Sequence, residues 1–142
     1  MRDFGYTAYC SCNRDAAWGI QMGSCCEVLT VDDDRLVRWI VQDCIEEAGY
    51  PAHTAENAIE AMVKLKTVPD IHVMVTDMRL PIISGPQLIR KGLSLRPDLK
   101  IIILTGFADE MDIPAGYTVL SKPVRPAQLT AAVSLACDGS FY

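Results

Sequence analysis

The stretch Val73-Met74-Val75-Thr76-Asp77-Met78-Arg79-Leu80-Pro81 decides how the rest of the chain is interpreted. Its first half is an apolar, β-branched run, which predicts a buried strand that ends at the carboxylate of Asp77. Pro81 then marks a turn before a helix begins, and Ser84 and Gln87 have the spacing of a capping box for that helix. In an open α/β sheet, ligands bind at the carboxyl ends of the strands. An aspartate at such an end is either a helix cap or a reactive group, and the stretch alone does not decide between them.

Outward from this strand, apolar strand-like runs alternate with segments of helical periodicity. The five predicted strands are residues 28–31, 51–55, 71–76, 100–104 and 118–121. Segments with helical spacing of their apolar side chains follow the first, second, third and fifth strands. This alternation predicts an α/β fold, a doubly wound five-stranded parallel sheet with helices on both faces.

The periodic part of the chain fits one domain, which we assign to residues 26–139. The chain has 142 residues, half of them apolar, and this is enough to bury one hydrophobic core. Residues 1–25 show no clear period apart from a short helical signal at 13–18. We expect this segment to be a flexible N-terminal extension.

The charge and hydropathy of the chain argue against two classes of partner. The net charge of −5 provides no basic surface for nucleic acid. No apolar run approaches the roughly 18 residues that a membrane span requires, and Arg2 and Asp3 are not followed by the apolar core that is typical of a signal peptide. We therefore expect a cytoplasmic protein that binds neither nucleic acid nor membrane.

The six cysteines are Cys10, Cys12, Cys25, Cys26, Cys44 and Cys137. Their number is even, but the chain is not a small secreted domain, so we expect reduced thiols rather than a disulfide framework. The spacing of the first four is not that of a zinc site.

Polar side chains stand at four of the predicted strand ends, which a parallel sheet brings to one edge. They are Asp32-Asp33-Asp34, Asp77, Thr105 and Lys122. Clustered carboxylates repel one another unless a cation joins them, and oxygen ligands of this kind suit Mg²⁺. Lys122 would pair with Asp77 or with a bound phosphoryl group, and Thr105 would donate to a phosphoryl oxygen. A carboxylate beside Mg²⁺ is a competent nucleophile toward phosphorus, so the edge has the parts of a phosphoryl-transfer site.

Four segments of the chain resemble the receiver domains of two-component response regulators, the CheY-like family. They are Val28–Asp34, Thr76–Pro81 with Ser84-Gly85, Ile103–Gly106, and Lys122-Pro123. The resemblance covers residues 27–137 and implies a flavodoxin-like sheet of the receiver type. It also implies a phosphoprotein whose phosphoryl group comes from a histidine kinase or a histidine phosphotransfer protein.

The resemblance assigns a role to each residue of the expected Mg²⁺ site. Asp77 corresponds to the phosphoacceptor and to a metal ligand. Asp33 corresponds to the direct metal ligand, with Asp32 acting through water, and the backbone carbonyl of Arg79 is the remaining protein ligand.

The other family positions surround the phosphoryl group. Thr105 corresponds to the hydroxyl that turns toward the phosphoryl group, and Lys122 to the lysine that pairs with it. Pro123 corresponds to a proline that commonly follows a cis peptide bond. Asp34 has no catalytic counterpart and is expected to cap the first helix, on which Arg35 and Arg38 would form a solvated face.

The chain departs from the family pattern at three places. Val119 replaces an aromatic residue that lies three positions before the lysine. The segment 107–118 is short and contains Pro114 and Gly116, so we expect the family's fourth helix to be short or absent. Arg79 and Phe107 occupy positions that tune dephosphorylation in the family, and we expect their bulk to slow hydrolysis.

The sequence leaves several functions open. The chain would be a single-domain response regulator or the receiver of a hybrid kinase, and it would act alone or as a homodimer on an unknown protein partner. One alternative is a small Mg²⁺-dependent phosphatase of the haloacid-dehalogenase type. The pattern Asp32-x-Asp34 resembles the nucleophile motif of that family. The other is a receiver-like scaffold that is not phosphorylated.

Overall fold

The chain forms alternating strands and helices in the order that the sequence predicts. The structure, a computed structural model, describes residues 26–106 and 116–138. In chain order the elements are β1 (Glu27–Val31), α1 (Arg35–Glu47), β2 (Ala52–Ala55), α2 (Ala58–Thr67), β3 (Ile71–Asp77), α3 (Gly85–Leu95), β4 (Lys100–Thr105), β5 (Thr118–Ser121) and α4 (Pro126–Asp138). No helix of this described part has the length and apolar character to cross a membrane.

Two of the sequence predictions fall on residues that the structure does not describe. One is the N-terminal extension 1–25 with its helical signal at 13–18. The other is the short or absent fourth helix of the family, because 107–115 lies outside the described ranges.

The five strands form one sheet in the order β2-β1-β3-β4-β5, and every pairing is parallel. The predicted doubly wound parallel sheet is therefore confirmed. β3 lies at the centre, and its apolar run is buried on both faces. A strand without a solvent face gains from apolar side chains at every position, which explains the absence of polar alternation.

The helices cover the two faces of the sheet in pairs. Helices α2 and α3 pack on one face through Ala61, Leu65, Leu88 and Ile89. Helices α1 and α4 pack on the other through side chains that include Val41, Ile45, Leu129 and Val133. The residues from α1, α2 and α4 are four positions apart, and in α3 Leu88 and Ile89 follow the buried Gly85 by three and four positions. This spacing places side chains on one helical face.

Two cysteines form a disulfide that the sequence analysis did not predict. Cys26 and Cys137 are bonded, with their Cα atoms 5.7 Å apart, so the expectation of reduced thiols is wrong for this pair. Cys26 immediately precedes β1, and Cys137 lies in the last turn of α4, which returns to the same end of the sheet. The pairing joins residues 111 positions apart, so it depends on the tertiary arrangement and leaves no local pattern. Cys44 is the free thiol of the described ranges.

Candidate acidic site

Four chain segments end level with one another at the carboxyl edge of the sheet. Val31 pairs with Thr76, and Asp77 pairs with Leu104 in the next strand. Thr105 pairs with Ser121, the residue before Lys122. This register brings the side chains at the carboxyl ends of β1, β3, β4 and β5 to one edge, as the alternating pattern predicts.

Three carboxylates meet at this edge. Oxygens of Asp32, Asp33 and Asp77 all lie within 4.8 Å of one another. Asp32 is fully buried and Asp77 is only 6% exposed, whereas Asp33 is exposed. Acidic side chains rarely lose contact with water unless something pairs with them, so this group differs from a solvated acidic patch.

Asp32 is held in place through its own carboxylate and its backbone. Its Oδ1 accepts a hydrogen bond of 2.8 Å from the Asp34 backbone amide. Its Oδ2 is buried and has no hydrogen-bond partner among the described residues. A buried oxygen with unused lone pairs is costly unless a cation approaches it.

One such cation is Lys122, whose ammonium nitrogen lies 3.2 Å from Asp32 Oδ2 and 3.2 Å from Asp77 Oδ2. Each contact is an ion pair across which the lysine is shared by two carboxylates. The Lys122 backbone amide donates to the Thr105 carbonyl at 2.8 Å, and this bond fixes the start of the side chain at the edge. The Lys122–Pro123 peptide bond is cis, as the resemblance implies.

The charges at this edge do not balance. Burial raises the pKa of the Asp77 carboxyl, and the neighbouring charge of Asp32 raises it further, while Lys122 opposes both without cancelling them. Burial alone would lower the pKa of Lys122, but the charges of Asp32 and Asp77 outweigh it and raise that pKa. The lysine has two carboxylate partners, so Asp77 shares this cation with Asp32. Three carboxylates against one ammonium leave a formal charge of −2.

This imbalance and the donor set fit a divalent, oxygen-seeking cation. Mg²⁺ binds through one or two carboxylates, keeps several waters and shares phosphate oxygens. The residues that would hold it are Asp32, Asp33 and Asp77. The Arg79 backbone amide hydrogen-bonds to the Asp77 carboxylate, which brings the Arg79 backbone to the site, but the role of its carbonyl as a ligand stays a prediction.

The connection from Asp77 into α3 is unusually close. The Gly85 amide donates to the Met78 carbonyl at 3.0 Å. A Cβ at Gly85 would lie 2.8 Å from the Met78 Cα, closer than real Cβ atoms come to other heavy atoms. α3 begins there with the predicted capping box of Ser84 and Gln87. A side-chain-free residue at this position therefore lets the helix start directly beside the end of β3.

Thr105 lies at the same edge, but its hydroxyl has another partner. The residue is buried, and its Oγ1 donates to the Gly106 carbonyl at 2.9 Å. The predicted hydrogen bond to a phosphoryl group therefore requires the hydroxyl to leave that carbonyl. Val119 is 36% exposed on the edge strand β5, and Phe107 lies outside the described ranges.

Asp34 and Arg38 lie beside the acidic site, where the first caps a helix and the second binds the Asp32 backbone. Asp34 caps α1, as predicted, because its Oδ1 accepts from the Leu36 amide at 2.9 Å and the Val37 amide at 3.3 Å. Arg38 does not belong to a solvated face, because its Nη1 donates to the Asp32 carbonyl at 2.8 Å. The signal was present in the sequence, since a side chain four residues after a helix cap covers the loop before the helix.

Comparison with known proteins agrees with this arrangement. Residues 28–134 match a family described as the response regulator receiver domain. The response regulator receiver protein CpdR of Brucella abortus (strain 2308) is 34% identical over 101 residues, which are 68% of this chain and 83% of that protein. The sensor kinase CckA of the same organism is 30% identical over 112 residues, 75% of this chain but only 12% of that protein.

A solved structure is also similar to this chain. It is a CheY-like response regulator receiver domain protein of Methanospirillum hungatei JF-1, with a TM-score of 0.73 and 28% identity. The match covers 82% of this chain and 96% of the solved one. The chain thus spans most of some relatives and a small part of others.

Proposed function

The chain belongs to the response regulator receiver domains of two-component systems, and from this membership we propose that Asp77 accepts a phosphoryl group from a histidine kinase or a histidine phosphotransfer protein. The observation that carries the proposal is the position of Asp77. It is a buried carboxylate at the end of the central strand, 3.2 Å from an ammonium and clustered with two more carboxylates.

The transfer is a displacement at phosphorus. A carboxylate oxygen of Asp77 forms the new bond to phosphorus while the bond from phosphorus to the imidazole nitrogen of the donor breaks. The imidazole leaves and recovers a proton. Because the site has little covalent chemistry to perform, alignment and neutralisation of charge are its main tasks.

Two side chains would stabilise the phosphoryl group once it reaches Asp77. Lys122 already lies 3.2 Å from Asp77 Oδ2 and would pair with a phosphoryl oxygen as charge builds up there. The Thr105 hydroxyl would exchange the Gly106 carbonyl for a phosphoryl oxygen. This exchange of hydrogen-bond partner would change the conformation beside β5, and a partner protein could bind the two conformations differently.

We also propose Mg²⁺ as the cofactor, held by Asp32, Asp33, Asp77 and the backbone carbonyl of Arg79. When bound, the ion neutralises charge on the phosphoryl oxygens and on the carboxylates. Neighbouring residues of the chain hold Asp32 in place beside the other two carboxylates. The Asp34 amide fixes one oxygen of Asp32, and Arg38 fixes its carbonyl.

The structure does not favour the phosphatase alternative. For the motif Asp32-x-Asp34 to act as a unit, both carboxylates would have to face the acidic cluster. Asp34 is instead committed to capping α1, and it is not part of the acidic cluster. Turnover of an aryl phosphate that survives Asp77→Ala but not Asp32→Ala would reverse this conclusion.

The test of the proposal is phosphorylation by a small-molecule donor. We expect acetyl phosphate and Mg²⁺ to add the mass of one phosphoryl group to the intact chain, and peptide mapping to locate it on Asp77. Asp77→Asn should abolish the modification, as should removal of the metal with EDTA. The matched control is Asp34→Asn, because asparagine caps a helix as well as aspartate and Asp34 lies outside the cluster. An unmodified wild-type chain would favour the unphosphorylated scaffold.

A further inference from the structure

The disulfide between Cys26 and Cys137 lies at the end of the sheet opposite the acidic site. Cys26 precedes the first residue of β1, and six residues later the same segment reaches Asp32. Cys137 lies in the last turn of α4, and the segment that leads into this helix begins with Lys122. The two chain segments are therefore joined twice, by a covalent bond at one end and by the Lys122–Asp32 ion pair at the other.

Near its end, helix α4 is held by partly buried side chains such as Ala136, which packs against the apolar core. Its fully buried side chains are Leu129 and Val133, and both lie in its first two turns. From Ser134 to Asp138 no residue is fully buried. The covalent bond of Cys137 is therefore the strongest restraint on the last turn of the helix that follows Lys122.

We propose that Cys26 and Cys137 form a reversible dithiol–disulfide site that tunes phosphoryl transfer at Asp77. In the oxidised state the segment from Lys122 to α4 is tied to β1 at both of its ends. Reduction removes one tie, so the lysine is held less firmly against Asp32 and Asp77. This inference rests on the proposed phosphoacceptor role of Asp77.

The redox step uses a thiol reductant, and its electrons balance. A thiolate of the reductant attacks one sulfur of the disulfide, forms a mixed disulfide and releases the other cysteine as a thiol. A second thiol of the reductant then displaces the remaining cysteine. Two electrons and two protons pass to the protein, and the reductant leaves as its own disulfide. Both cysteines are partly exposed, so a small thiol can reach them.

The first stage of the test concerns the bond itself. Alkylation without reductant, followed by peptide mapping, should leave Cys26 and Cys137 unmodified and linked, while Cys44 reacts once the chain is unfolded. Dithiothreitol should make both available and lower the melting temperature by roughly 10 °C, because the bond closes a loop of more than 100 residues. Alkylation of both cysteines before any reductant is added would overturn the inference.

The second stage measures the rate at which acetyl phosphate and Mg²⁺ modify Asp77. It is run at a temperature at which near-UV circular dichroism shows the oxidised and reduced chains to be folded. We expect reduction to slow the modification by about fivefold or more, the scale of a modest coupling between two sites. The double variant Cys26→Ser/Cys137→Ser should match the reduced chain and should not respond to dithiothreitol. The matched control is Cys44→Ser, which removes a thiol that packs against the same part of the apolar core as Cys26 and Cys137. This variant should behave as the wild type.

Two results separate the inference from the proposed function. Equal modification rates for the oxidised and reduced chains would overturn the redox inference and leave Asp77 as the phosphoacceptor. No modification of Asp77 in either state would refute the phosphoacceptor role and, with it, the proposed coupling.

Discussion

Replacing the phosphoacceptor candidate by its neutral isostere, Asp77→Asn, should make the metal-free protein more stable. At an effective dielectric constant of about 20, unit charges 4.8 Å apart repel by about 3.5 kcal/mol. An ammonium 3.2 Å away attracts by about 5 kcal/mol. Two carboxylate neighbours therefore outweigh Lys122 by about 2 kcal/mol, and solvent screening of the exposed Asp33 reduces this to about 1–2 kcal/mol. Desolvation of the charge acts in the same direction.

The pH dependence follows from the raised pKa of Asp77. The ordinary pKa of 3.8 applies in the unfolded chain, and the folded chain holds the carboxyl protonated to a higher pH. Below pH 3.8 the group is protonated in both states and costs nothing. As the pH rises through the raised pKa, only the folded state suffers from the charge, so the wild type loses stability relative to Asp77→Asn.

The assay is thermal unfolding of the oxidised proteins at pH 7 in EDTA, where we expect the variant to melt about 3–8 °C above the wild type. Mg²⁺ should narrow the gap, because it stabilises the wild type more than the variant. The control Asp34→Asn removes a carboxylate from the same loop but outside the cluster, and it should leave the melting temperature nearly unchanged. A destabilised Asp77→Asn protein, or an equal gain in Asp34→Asn, would refute the electrostatic reasoning.

Three further substitutions, with Gly92→Ala as a control, test how the site is supported, each by urea unfolding. Gly85→Ala should lower the free energy of unfolding by about 1–3 kcal/mol, because the new Cβ meets the Met78 backbone. At Gly92 the atom nearest to a new Cβ is a flexible Leu65 side-chain carbon at 3.3 Å, so Gly92→Ala should be close to neutral. Arg96→Met should cost about 2 kcal/mol, since its guanidinium donates to four backbone carbonyls at the ends of α2 and β3. Ile82→Asn should stabilise by about 1 kcal/mol, because this exposed β-branched residue has a φ of 71°.

Each of these predictions has a result that contradicts it. Equal losses for the two glycine variants would mean that the contact with Met78 is not what excludes a side chain. Full stability in Arg96→Met would mean that water replaces the guanidinium without cost. A loss of stability in Ile82→Asn would show that the isoleucine side chain contributes more than its backbone strain removes.

The sequence by itself determined the architecture and the members of the acidic site. An apolar run such as Val73–Val75 has to be buried on both faces, and a cap such as Ser84 with Gln87 has to begin a helix, because both depend on neighbours in the chain. The alternation of these signals brings Asp32, Asp77 and Lys122 to one edge without further information.

Only the tertiary structure decided which side chains contact one another across elements. The Cys26–Cys137 bond and the hydrogen bonds from Arg96 to the carbonyls of Leu65 and Ile71 depend on how helices and loops lie against the sheet. Periodicity reports which face of an element is buried but not what lies opposite it. For this reason the sequence identified the carboxylates and their lysine, while the fold disclosed the covalent tie at the far end of the segments that carry them.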